Sequence, residues 1–192
     1  MIEVLLASFL VGLTGAVSPG PMSASILGMS HKKPLLSTLG LVAGHGIVEA
    51  AIIVGIIFGL RSLPCQKEIA LLGCVTIVIL GVMHFRSEPG KEKARAESAR
   101  APFATGIVLT LSNPYWWIWW LTFGAGFLAL QPAYAAFFVG HISADLVWFG
   151  ILAFTASRGA AILGDRYRWV VKGSGIAMAG FGVAFAISIL SG

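Results

Sequence analysis

His45 stands four residues before Glu49, and His141 stands four residues before Asp145. Residues at i and i+4 share one face of a helix, so each pair offers an imidazole and a carboxylate side by side. Both pairs fall inside apolar runs, and Glu49 and Asp145 are the two acids set deep in such runs. A charged side chain at the centre of a bilayer costs about 3 kcal/mol on insertion scales, which makes these four groups functional candidates. Three chemistries compete. In the first, the carboxylates attract a substrate ammonium and exchange a proton, while the histidines tune or relay it. In the second, two imidazoles and two carboxylates ligate a divalent metal such as Zn, Mn or Ni. In the third, each histidine bonds its own acid and cements helix packing. The first is favoured, because intramembrane ionisable groups usually mark pathways.

Two proline breaks add a second kind of candidate. Ser18, Pro19, Gly20 and Pro21 interrupt the first apolar run, and Asn113 and Pro114 interrupt the fourth. Proline removes a backbone donor and clashes with the carbonyl four residues back. Irregular backbone at membrane depth is tolerated where it is buried in protein or lines a wet cavity. Helices restarting near Met22 and Tyr115 aim free N–H groups and positive dipole ends inward, which suits a carboxylate. Directly after the second break comes Tyr115-Trp116-Trp117-Ile118-Trp119-Trp120. These positions cover every side of a helix, so at most one or two tryptophans are expected to face a cavity. His31 and His84, beside Lys32 and Arg86, read as interfacial. Cys65 and Cys74 form no CxxC or zinc spacing.

The elements that must position these groups follow from composition. The chain has 192 residues, 57% hydrophobic and 11% charged, with mean hydropathy +0.89. Soluble domains carry about 25% charged residues. Soluble enzyme domains, disordered chains and nucleic-acid-binding modules are therefore excluded. The expected architecture is all-α and integral to a membrane, as a single domain over 1–192 with spans near 3–29, 36–60, 68–86, 103–130, 134–157 and 169–190. The first span lacks the positive start of a cleavable signal and carries Glu3, so it is expected to remain. Spans 1 and 4 are too long for a straight crossing, which fits helices broken at proline. Eleven of the 13 Lys and Arg residues fall after spans 1, 3 and 5, against Arg61 and Lys67 on the other face. That bias puts the loops after spans 1, 3 and 5 in the cytoplasm and both termini outside.

The halves also resemble each other. Ser18 and Pro19 match Asn113 and Pro114 at an offset of 95. Gly44, His45 and Glu49 match Gly140, His141 and Asp145 at 96, and Arg61 matches Arg158 at 97. Three spans per half is an odd number, so repeat one (1–86) and repeat two (103–192), joined by a polar cytoplasmic loop at 87–102, enter with opposite orientation. Inverted repeats of this kind are a common plan of secondary transporters.

At this point the sequence resembles the LysE/RhtB family of amino-acid exporters, over nearly the whole chain. The resemblance rests on Ser18-Pro19-Gly20-Pro21, the small-residue second span from Gly40 to Gly59 with an ionisable residue inside, the Asn113-Pro114 break, and Asp145 in span 5. It implies proton-driven export of amino acids or similar small zwitterionic or cationic metabolites. His45 after Gly44, with the acid one turn later, and the tryptophan-rich fourth span depart from the family pattern. The alternative function is export of a divalent metal through His45, Glu49, His141 and Asp145. The partners implied are a small-molecule substrate and the lipid bilayer, with no nucleic acid and no cofactor. Gly173, Gly175, Gly180 and Gly182 offer small-residue faces for packing within the bundle or in a homodimer. An enzyme is not expected, since no HExxH or nucleophile motif is present.

Overall fold

The computed structural model describes residues 1–17, 20–30, 33–59, 66–86, 100–130 and 132–191. Among them every regular element is helical. The first apolar run forms α1 (Ile2–Val17) and then turns by 73° into α2 (Pro21–Met29). Pro21 opens α2 at a position where its missing N–H costs nothing. Pro34 does the same for α3 (Pro34–Ile57). α4 (Gln66–Arg86) closes the first half.

In the second half, α5 (Arg100–Ser112) stops at Asn113, whose side chain accepts the Tyr115 N–H and caps α6 (Pro114–Trp119). A π turn over Trp120–Gly124 leads into α7 (Ala125–Leu130). α8 (Tyr134–Leu163) runs past the expected end of span 5, so Arg158 lies in the helix rather than in a loop. Gly164, at φ +50°, starts the short 3-10 turn into α9 (Tyr167–Ser191). By length and apolarity, α3 and the run 134–191 suffice to cross a membrane, and α1 with α2 do so if the bent pair counts as one span. The apolar stretches Leu71–Met83 and Ala101–Ser112 are shorter.

The main packing pairs are α4 with α9, α1 with α8, α3 with α5, and α3 with α8. Several crossings depend on glycine. A Cβ on Gly44 would overlap the Phe103 carbonyl oxygen of α5, and one on Gly140 would overlap the Leu5 carbonyl oxygen of α1. The helices therefore approach backbone to backbone, as small residues permit in lipid. Gly175 and Gly182 of α9 press on α4, whereas Gly173 and Gly180 face open space. Leu6, Leu10, Ile47, Val54, Leu72, Ile79, Ile151, Phe154, Ile176 and Ile187 are exposed. So much outward apolar surface suits lipid contact rather than water. Inside, Trp120, Phe137, Leu128, Ile52 and Ile53 form one core cluster against α3 and α8.

Candidate functional site

Where α3 and α8 cross, His45, Glu49, His141 and Asp145 converge. All four are buried, and one donor atom from each lies within 4.8 Å of the others. His45 Nε2 is 3.0 Å from Glu49 Oε1 and 3.3 Å from Asp145 Oδ2. His141 Nε2 is 3.1 Å from the same Glu49 oxygen. His141 thus reaches across to the acid of α3, contrary to the reading in which each histidine serves only its own acid. The reason is that α8 packs against α3, which brings the His141 ring to the Glu49 carboxylate.

Glu49 is fully buried and its Oε1 is the hub. It also accepts the indole N–H of Trp120 at 3.2 Å and of Trp116 at 3.4 Å. Its second oxygen, Oε2, has no partner, and neither do Asp145 Oδ2 nor His141 Nδ1. Asp145 Oδ2 is within ion-pair reach of His45 but is not aligned for a hydrogen bond. Among the described residues no lysine or arginine pairs with either carboxylate. Buried polar atoms normally find partners, so three without a hydrogen bond in one cluster give it spare hydrogen-bonding capacity.

The two histidines are held differently. Thr110 Oγ1 donates to the Gly106 carbonyl at 2.6 Å, which commits its hydrogen. The same oxygen lies 2.7 Å from His45 Nδ1 and therefore accepts from Nδ1–H. That puts a proton on Nδ1 and turns Nε2 toward the two carboxylates. Gly12 of α1 takes the corresponding place beside His141. A Cβ there would stand 3.1 Å from His141 Nδ1, yet glycine offers no polar atom to it. Instead, the rings of Trp119, Trp120 and Phe137 wall His141 at centroid distances of 5.1, 5.8 and 5.9 Å.

A cavity of about 90 Å³ opens on this cluster, lined also by Gly20, Pro21, Asn113 and Trp119. The breaks at the starts of α2 and α6 thus reach the same space as the ionisable groups. Pro114 is buried as the first residue of α6, while Ser18, Pro19 and His31, and the side chain of His84, lie outside the described residues. Three tryptophans line the cavity rather than one or two. Trp116, Trp119 and Trp120 sit at i, i+3 and i+4, which places them on one face. Thr110, Gly12 and the indole bonds to Glu49 were not anticipated. Thr110 alone left a trace, as a polar residue in an apolar run shortly before the break.

A model of the LysE type translocator family matches residues 13–189. The chain belongs to that family. It is similar to the chemotactic transduction protein ChpE of Pseudomonas aeruginosa, 26% identical over 161 residues that cover 77% of this chain and 79% of that one. It is also similar to an uncharacterized membrane protein of the same bacterium, 28% identical over 196 residues that cover 90% of each. No solved structure matches. As a LysE-type translocator, the chain is a multi-pass membrane protein of an export family rather than an enzyme family.

In this LysE-type chain, Thr110→Val should cost about tenfold in transport rate, since one hydrogen bond of about 1.4 kcal/mol no longer aims His45. Thr110→Ser should restore most of it. Flux assays beside ¹⁵N spectra of the histidine rings would check this. Wild-type flux in Thr110→Val, with an unchanged His45 tautomer, would remove Thr110 from the site.

Proposed function

We propose that this LysE-type protein is a secondary exporter of amino acids or similar small zwitterionic or cationic metabolites, driven by the proton gradient across a prokaryotic inner membrane. The observation that carries the reading is one cavity bounded by the buried quartet and by both helix breaks. The unpartnered oxygens of Glu49 and Asp145 supply acceptors for an ammonium. The opening turn of α2, with N–H groups that lack helical acceptors, suits the carboxylate of the same solute. Protons exchanged on the quartet supply the coupling, as intramembrane acids and histidines do in pumps.

The reading includes six spans arranged as two inverted three-helix repeats with both termini outside. Matched crossings support it: Gly44 meets α5 much as Gly140 meets α1. α1 pairs with α8 as α5 pairs with α3. Rocking one repeat against the other would then expose the cavity to either side.

Uptake of labelled amino acids into inverted vesicles tests the reading. An imposed proton gradient should drive accumulation, and Asp145→Asn should reduce it by at least about tenfold, the effect of losing one charged partner worth about 1.4 kcal/mol or more. Uptake that ignores the gradient, or that is equal in Asp145→Asn, would overturn it.

A further inference from the structure

The spacing of the quartet discriminates between the cations it could hold. A tetrahedral metal with bonds of 2.0–2.1 Å needs donor atoms about 3.3 Å apart. An ammonium held by hydrogen bonds of about 2.9 Å needs acceptors about 4.7 Å apart. The separations across the cluster are 3.0, 3.1 and 3.3 Å for three donor pairs, and all four atoms stay within 4.8 Å. Three of the six donor pairs have the spacing of the metal cage.

Hydrogen-bond accounting points the same way. Thr110 accepts a proton of His45 from Nδ1, so Nε2 faces two carboxylate oxygens. Three such atoms that close together need a positive centre among them, which a proton or a metal ion supplies. Glu49 Oε2 is buried and unpartnered, and it adds acceptor capacity that the protein itself does not use. The outer contacts are those of a metal centre: an imidazole N–H donated to a fixed oxygen, and a carboxylate braced by two indole N–H groups. Two carboxylates with two neutral imidazoles also carry the charge that balances one divalent ion.

We propose that His45, Glu49, His141 and Asp145 form a four-coordinate site for one divalent transition-metal ion of the zinc class, and that export of such an ion is a further activity of this chain. Two nitrogen and two oxygen donors suit Zn²⁺ or Co²⁺. They are too few and too nitrogen-rich for Ca²⁺ or Mg²⁺, and they lack the thiolate or thioether donors that select Cu⁺. As an activity, metal export rests on the transport reading above. As a binding site, it does not.

The test uses the full chain, purified in detergent, stripped with chelator and reloaded with Zn²⁺ or Co²⁺. One equivalent of Zn²⁺ should survive desalting, and Co²⁺ should give the intense visible bands of a tetrahedral centre. Asp145→Asn, and His45→Ala combined with His141→Ala, should lose both signals. Thr110→Val, which keeps all four ligands, should weaken binding by about 10–100-fold. No retained metal in the wild type, or equal retention in Asp145→Asn and Thr110→Val, would overturn the site. Zn²⁺ should also enter inverted vesicles carrying the wild type and not those carrying Asp145→Asn. Binding without flux would overturn the activity. Amino-acid flux by a protein that binds no metal would sink this inference and leave the amino-acid reading standing. Metal binding without amino-acid flux would do the reverse.

Discussion

Glu49→Gln is expected to abolish gradient-driven flux, by at least about 100-fold, while the protein still folds. Glutamine keeps the volume and keeps an amide oxygen that can accept the Trp116 and Trp120 N–H groups. What it loses is the charge facing His45 and His141. A charge-assisted hydrogen bond contributes about 1.5–3 kcal/mol, and two of them meet at this oxygen. Losing the charge at both accounts for two orders of magnitude or more. Glu49→Ala should behave differently. It strands two indole donors and opens a void, and breaking a buried pair costs about 3–5 kcal/mol. Flux in vesicles, read beside thermal unfolding in detergent, separates the two outcomes. Normal flux in Glu49→Gln would end any role for this residue in coupling or cargo binding.

The quartet was legible because its signal is local. An i, i+4 pair in an apolar run marks a helix face, and a second pair at an offset of 96 marks a partner. The breaks were legible for the same reason, since proline acts on its own turn. The finer site was not, because its contacts join helices far apart in sequence. Thr110 meets His45 only through the α3–α5 crossing, and Gly12 meets His141 only through the α1–α8 crossing. No periodicity distinguishes a threonine that caps an imidazole from one that bonds its own helix, and Thr110 does both. The two histidines differ by a single neighbouring side chain: threonine stands beside His45 and glycine beside His141. The π turn at Trp120–Gly124 has no marker in the sequence. It lies between α6, which carries Trp116, and α7, with Trp120 as its first residue and one of the two indoles that bond Glu49.

Gly44→Ala should cost both stability and transport, although alanine is the better helix former. In an exposed helix interior the exchange gains about 1 kcal/mol. Here the new Cβ would overlap the Phe103 carbonyl oxygen and sit 3.0 Å from the Ile107 nitrogen. Backbone atoms cannot swing aside as a side-chain tip can, so α5 must shift away from α3. Overpacking of this kind costs about 1–3 kcal/mol, and the propensity gain does not cover the upper range. The shift has a functional consequence because α5 carries Thr110 and leads directly into Asn113. Moving α5 lengthens the 2.7 Å contact that orients His45 and carries the cap of α6 with it. Flux should therefore fall by about tenfold or more, at least the loss expected when that single hydrogen bond is removed. Gly180→Ala is the control, since nothing lies within 4 Å of a Cβ at that position on α9. It should unfold no earlier than the wild type and transport normally. Thermal unfolding and vesicle flux measured on both variants decide the matter. If Gly44→Ala matched Gly180→Ala in both, close backbone contact between α3 and α5 would not be what holds His45 in register.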